Sequence, residues 1–352
     1  MKNPGRTPPF RGPDGAIVPG SIAETAYLRI GGLDQWVMMR GANAANPPVI
    51  HLHGGPGLSE WPFFRHYNAP LEHAFTVVSW DQRGASRSFD PAIPRATMTV
   101  EQFVSDLDEL VDAVCARLGQ PRVIMFGHSW GSAFGALYAA RFPDKVAAYV
   151  GSGQVGDWAR GEALSYAYVL AEARRQRNRR AERDLLAIGP PPHTAARVWT
   201  QRIWLMRMQG ELSPRMLWRN ARVLLLEPES SLLGLRDFSR GLQFSMDAMW
   251  TEVTRLNLLE RAPALRMPAF FFIGRHDHYV PPETSVAYFE ALQAPAKQWV
   301  WFERSGHEPF VDEPEKFNTE MIRRVRPVWD LAPATPGAAA SDAMEPVPVS
   351  AA

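Results

Sequence analysis

Along most of this chain, short apolar runs alternate with longer stretches in which apolar residues recur every three or four positions. The first pattern predicts buried strands and the second amphipathic helices. Residues 26–30 and 36–40 predict an opening antiparallel pair joined at Gly31 and Gly32. Residues 49–53, 76–80, 123–126 and 146–150 predict further strands, and 269–273 with 298–302 complete the set. A helix is well marked from about 100 to 118, where Phe103, Leu107, Leu110, Val111 and Val114 fall on one face. Another begins directly after Ser129 and stops near Arg141, before Pro143. Strands alternating with helices in this way predict an α/β fold, a mostly parallel sheet flanked by helices.

The alternation stops after Gly156 and resumes only near Pro268. The intervening stretch is helical in character, carries Trp158, Trp199, Trp204, Trp218 and Trp250, and is broken at Pro190–Pro192. We read residues 157–256 as an inserted helical cap domain and 23–156 with 257–329 as the α/β core. The cap tryptophans and the methionines at 206, 208, 246 and 249 are expected to fill the cap's own core, with some lining a pocket between the two parts. Residues 1–22 are rich in Pro and Gly and predict a loose arm; residues 330–352, rich in Ala and Pro without periodicity, predict a disordered tail.

Composition narrows the function classes. Formal net charge is +1, so no bulk field points to nucleic acid or an anionic membrane. The basic run from Arg174 to Arg180 is bracketed by Glu172, Glu182 and Asp184 and reads as a solvated helix face. No stretch approaches the roughly 20 apolar residues that span a bilayer, and the N-terminus has no apolar signal core. One cysteine, Cys115, rules out an internal disulfide, and a cytoplasmic location is expected.

The candidate chemistry sits in four loops. Gly127-His128-Ser129-Trp130-Gly131 follows the run at 123–126 and precedes a helix. A strand that turns this sharply into a helix needs small residues on both sides of the turn, and the turn exposes a hydroxyl at the sheet edge. His53-Gly54-Gly55-Pro56-Gly57 follows another strand, and its backbone can pass close to a bound carbonyl. The N–H groups of Gly55 and Trp130 are therefore a candidate oxyanion hole. His307 lies just beyond the last predicted strand and Asp277 just beyond the one before it. The order Ser129, Asp277, His307 suits a nucleophile, the acid that orients its base, and the base. Glu308 and Asp312 stand too near His307 in sequence to be that acid, and His276 and His278 are assigned to shaping the acid's loop. A metal site on His276 and His278 would need further ligands, so neither a metal nor a cofactor is predicted.

With these motifs in place, the chain from about Ala23 to Trp329 resembles the proline iminopeptidase branch of the α/β hydrolases. The resemblance rests on the His53–Gly57 and Gly127–Gly131 motifs, on Trp80-Asp81-Gln82-Arg83-Gly84 with Ser86 and Ser88, and on the Asp277 and His307 loops. It implies Ser–His–Asp roles for Ser129, His307 and Asp277, and a Gly55/Trp130 oxyanion hole. It also implies cap glutamates that hold a substrate amino group; Glu211, Glu227 and Glu229 lie in the right segment. Asp81 and Arg83 are expected to fix their loop. Three readings of the substrate follow: an aminopeptidase on short peptides, a carboxylesterase or lactonase on small esters, and a hydrolase-fold receptor that binds a small ligand.

Overall fold

Eight strands form one sheet in the computed structural model, which describes residues 3–229 and 232–331. They are β1 (Ile22–Ile30), β2 (Leu33–Gly41), β3 (Pro48–Leu52), β4 (Thr76–Trp80), β5 (Val123–His128), β6 (Val146–Ser152), β7 (Ala269–Gly274) and β8 (Lys297–Phe302). Their order is β1-β2-β4-β3-β5-β6-β7-β8. The first two junctions are antiparallel and every later one is parallel. β1 starts at Ile22, earlier than the apolar run predicts, because residues 22–25 pair with 38–41 of β2 although few of their side chains are buried. β3, β5 and β7 are buried along their whole length, as parallel strands covered on both faces must be.

Helices α1 (Trp61–Asn68), α2 (Val100–Leu118) and α3 (Trp130–Arg141) cover the sheet. α2 starts at Thr99, whose side chain accepts from the Gln102 N–H, and stops at Gly119, which takes the left-handed turn at φ +64. Its predicted face, Phe103, Leu107, Leu110, Val111 and Val114, is fully buried in one core cluster with α3. The opposite face of the sheet packs against Phe64 of α1 and against Phe310, Phe317 and Met321.

Six described helices run between β6 and β7: α4 (Trp158–Arg175), α5 (Arg179–Ile188), α6 (Ala195–Met208), α7 (Pro214–Leu226), α8 (Leu232–Val253) and the short α9 (Leu258–Arg261). α4, α5 and α6 share a small core of Tyr166, Val169, Ala173, Ala181, Leu185, Trp204 and Leu205. α8 returns to the sheet, where Met246, Met249, Trp250 and Val253 join the main core. Trp218 departs from the expectation that the tryptophans are core residues, being 64% exposed. It stands two positions from Met216 and six from Leu224, both of which α7 turns inward, so it falls on the opposite face. The arginines of the 174–180 run are exposed, and three of them pair with acids: Arg174 with Glu182, Arg175 with Glu172 and Arg180 with Asp184.

The arm expected to be loose is fastened. From Asn3 to Gly20 it has no regular element beyond one bridge between Arg11 and Ile17. Yet Trp36 Nε1 and Arg87 Nη1 both donate to the Pro4 carbonyl, Thr25 Oγ1 donates to Gly5 O, and Arg40 Nη1 donates to Pro8 O at 2.7 Å. The tail expected to be disordered lies outside the described residues from position 332 onward. No described helix is long and apolar enough to cross a membrane.

Candidate active site

Sheet register decides which loops meet. β5 lies between β3 and β6, and Leu52 of β3 pairs with Gly127 of β5. The loops after these strands therefore leave the sheet side by side, at the point where strand order reverses and where α/β sheets bind ligands. On the other flank Gly274 of β7 pairs with Phe302 of β8, which brings the loops carrying Asp277 and His307 together.

Ser129 occupies the turn between β5 and α3 with φ 54 and ψ −118. A non-glycine residue held there stores roughly 1–3 kcal/mol of strain. The neighbours make the turn possible: a Cβ on Gly131 would lie 2.0 Å from the Leu52 carbonyl oxygen, and one on Gly127 would lie 2.5 Å from Gly131 O. The strained backbone is tied down by Ser129 N–H donating to Ser152 O at 3.0 Å and by Ser132 Oγ donating to Ser129 O at 2.6 Å.

His307 Nδ1–H donates to Asp277 Oδ2 at 2.8 Å. Asp277 Oδ1 accepts from the N–H groups of Tyr279 and Val280, both at 2.9 Å, so this buried carboxylate is fixed from two sides. With its Nδ1 committed to Asp277, a neutral His307 keeps Nε2 as a proton acceptor. Ser129, Gly55 and His307 all line one cavity. His276 and His278 line it too, and the ring of His278 stacks on Tyr168 with centroids 3.5 Å apart.

The glycine loop is held against Ser129. A Cβ on Gly54 would lie 3.2 Å from Ser129 Cβ, and Gly55 has φ +116, a conformation that favours glycine. Trp130 is the first residue of α3, so its N–H has no partner within the helix. Gln82 joins the two loops: its side chain donates to His53 O at 3.0 Å and accepts from Trp130 Nε1 at 3.0 Å. His53 accepts from the Gln82 N–H through Nε2 and lies against Gly54 O through Nδ1; burial holds it neutral, with its pKa lowered to about 4. Asp81 accepts from Ser59 Oγ and the Arg87 N–H, and Arg83 clamps Asp106 with two bonds. Both residues tie loops together and stay out of the cavity lining.

Two groupings around this site come from the fold, and among their residues only Glu211 is a candidate for binding in the sequence. The first is a buried ion pair. Glu60 Oε1 accepts from His128 Nδ1 at 2.8 Å, and His128 Nε2 meets the His307 carbonyl oxygen at 2.9 Å. Burial opposes charge on His128, but the charge and hydrogen bond of Glu60 outweigh it and lift its pKa to about 9. Burial likewise opposes charge on Glu60, while His128 and His51 hold it well below the ordinary carboxylate range. His128 is thus a cation that donates to the backbone of His307.

The second set is acidic. Of the three cap glutamates considered, Glu211 alone lines the cavity. Glu227 bonds His66 and Glu229 accepts from Thr7. Glu211 accepts from Tyr279 Oη at 2.6 Å, and the Tyr279 ring stacks on His307 with centroids 5.1 Å apart. Glu308 and Asp312 line the same cavity. Burial raises Glu211 to about 7, helped by the charges of Asp312 and Asp277 against the Tyr279 hydrogen bond. Burial and the Glu60 charge push Glu308 up to about 8 although His128 opposes them. Burial raises Asp312 as well, partly offset by Gly306 N–H and the Arg219 charge. Among the described residues no cation forms an ion pair with Glu211 or Glu308. Burial is the first cause of both raised pKa values, so Glu211 and Glu308 hold their protons up to about neutral pH. The cavity's other cation, Arg202, is spent on Glu162.

The cavity has a volume of about 800 Å³. Its walls mix apolar and polar groups: Met206, Met208, Met216 and Met246 line it, and so do Asp157, Arg202, Gln209, Arg219 and Asn220. Three of the four cap methionines singled out in the sequence therefore face it, Met249 being the exception. Among the described residues no group of three or more His, Cys, Asp or Glu side chains is arranged to hold a metal ion.

The chain is similar to known proteins over most of its length. A sequence family described by the alpha/beta hydrolase fold matches residues 47–314. A Bacillus subtilis (strain 168) protein named probable aminopeptidase YbaC is 32% identical over 320 residues, 87% of this chain and 97% of that one. The proline iminopeptidase of Neisseria gonorrhoeae is 33% identical over 122 residues, 35% of this chain and 37% of that one. Among solved structures, a proline iminopeptidase-related protein of Thermus thermophilus has TM-score 0.60 at 20% identity, covering 86% of this chain and 96% of its own. The proline iminopeptidase of Mycobacterium smegmatis has TM-score 0.58 at 20% identity, covering 87% and 98%. At that identity the two structures speak to fold alone.

Proposed function

The chain belongs to the α/β hydrolase family, and on that premise we propose that it is a serine aminopeptidase that releases an N-terminal residue through Ser129, His307 and Asp277. The observation that carries the amine preference is the trio Glu211, Glu308 and Asp312 in the cavity beside His307. Carboxylates that burial keeps partly protonated suit a ligand that supplies the missing positive charge. A hydrogen bond between charged groups contributes about 1.5–3 kcal/mol.

In this reading His307 takes the Ser129 proton as Oγ attacks the carbonyl of the first residue. The bond from Nδ1 to Asp277 holds the tautomer that leaves Nε2 free and stabilises the imidazolium that forms. The N–H groups of Gly55 and Trp130 receive the oxyanion, where one lost donor costs about 3 kcal/mol. His307 then gives its proton to the departing amine, and water attacks the acyl-enzyme by the same route. The Glu60–His128 pair, bonded to the His307 carbonyl, supports the base's position without touching substrate.

The test compares alanine and proline p-nitroanilides with their N-acetyl forms and with p-nitrophenyl acetate. Turnover of the free anilides that acetylation abolishes supports an aminopeptidase. Turnover of the ester alone makes the enzyme an esterase. Ser129→Ala should lower turnover by about a millionfold with the fold intact; substantial residual activity rules out Ser129 as nucleophile.

A further inference from the structure

The acidic trio occupies only part of the cavity. Phe238, Leu242, Met246 and Trp250 line it from α8 at intervals of four residues. At 1.5 Å per residue, twelve residues make an apolar stripe about 18 Å long. Met216 and Leu224 line it from α7, eight residues apart, or about 12 Å, with the polar side chains of Arg219 and Asn220 between them. The volume of about 800 Å³ lies high in the range of roughly 300–1,000 Å³ that encloses drug-sized ligands. A proline ring held by its amino group beside His307 would leave most of that stripe wet. The four methionine side chains are flexible and polarisable, which suits a wall that adapts to varied apolar shapes.

We infer that the substrate is an amine-bearing amide or ester with an extended apolar body, and that a compact N-terminal proline is a poor occupant. This rests on the aminopeptidase reading for its charged end and on the α8 stripe for the rest. The amino group lies among Glu211, Glu308 and Asp312, the scissile carbonyl faces Ser129, and the apolar body runs along α8. Nothing in the chemical step changes. Selectivity comes from water displaced along the stripe.

Two substrate series on the unaltered enzyme test this. One keeps p-nitroaniline as leaving group and lengthens the side chain from alanine through norleucine to 2-aminodecanoate, with proline as the compact reference. The other keeps alanine and lengthens an n-alkylamide from butyl to dodecyl, followed by mass spectrometry. Burying a methylene multiplies affinity about fourfold. We expect kcat/KM to climb by up to that factor per carbon in at least one series, and to leave proline at least a hundredfold behind. Leu242→Asn, checked for native circular dichroism, should flatten the climb. Flat profiles in both series, or proline as the best substrate, overturn the inference. If proline is best and N-acetylation still abolishes turnover, the aminopeptidase reading stands while the apolar-body inference falls. If the climb persists equally in N-acetylated members, the amine reading falls and the apolar body stands.

Discussion

Glu60→Gln removes the charge beneath His128 and keeps the shape. In the native pair both side chains are buried, 1% exposed for His128 and 3% for Glu60, and the contact is 2.8 Å. Lifting His128 from 6.5 to about 9 corresponds to about 3 kcal/mol, at 1.36 kcal/mol per unit. The pair titrates as a unit, so that energy is counted once. Because the folded pKa lies above the unfolded one, this stability is fully present below pH 6.5 and is lost as pH rises through about 9. In Glu60→Gln, burial leaves His128 neutral, and the amide can donate to Nδ1 so that Nε2–H still reaches the His307 carbonyl. The variant should therefore lack this pH-dependent loss. Glu60 also raises Glu308, which costs the native protein stability progressively from pH 4.5 up to about 8; removing the Glu60 charge lessens that loss, and the loss of the His128 charge partly restores it. The assay is urea unfolding by tryptophan fluorescence at pH 6, 7, 8 and 9.5 for both proteins. Native stability should fall about 3 kcal/mol further than that of the variant across this range. Parallel curves would refute the charged pair, and with it the view that a cation holds the His307 backbone.

Asp277→Asn should lower kcat by about ten-thousandfold with little change in stability, because it loses the acceptor that fixes the His307 tautomer; steady-state kinetics with circular dichroism check it. For a free-amine anilide, kcat/KM divided by that for p-nitrophenyl acetate should rise from pH 6 to 8 as Glu211 and Glu308 ionise. The ratio should then fall as the substrate amine, with pKa about 8, loses its proton. The groups facing the acids, Asp277, Asp312, Glu60, His128 and Arg219, are common to both substrates, and Glu211→Gln should shrink the rise. Gly131→Ala should destabilise by about 3 kcal/mol or more, since its Cβ would lie 2.0 Å from a backbone oxygen that cannot yield. Gly135→Ala on the same helix would meet only Leu52 Cδ1 at 2.9 Å and should be near neutral in urea unfolding, because helix propensity offsets the crowding.

How far the sequence carries depends on whether a residue is placed by its own strand or by its neighbours' strands. Ser129, Asp277 and His307 each follow an apolar run directly, so knowing that the sheet is parallel is enough to bring them to one edge. Gly127 and Gly131 are legible for the same reason, the turn between strand and helix being a local event. Glu60 and His128 are 68 residues apart and meet only because β3 pairs with β5; nothing near either residue announces the other. Glu211, Glu227 and Glu229 look alike in the chain. Their fates are set by what faces them, respectively Tyr279, His66 and Thr7. Glu308 and Asp312 were set aside as partners for His307, and neither bonds its ring; their access to the cavity follows from the short helix Pro309–Asp312 that carries the chain past it.

The atoms that would break a bond are fixed by the sheet: Ser129 by strain between β5 and α3, and Asp277 by two backbone N–H groups of its own loop. The walls that would choose the bond include four residues from each of α4, α6, α7 and α8, and α7 buries only Val223. A helix held by so little can change its inward residues at small cost to the fold. Tyr279 and Glu211 are where the two parts touch, since Tyr279 stacks on His307 and donates to Glu211. Tyr279→Phe would cut that bond while keeping the ring on the base, freeing Glu211 from its one neutral donor. Burial would then hold Glu211 protonated to higher pH, so the substitution should act on KM for amine substrates and leave ester turnover nearly as it was.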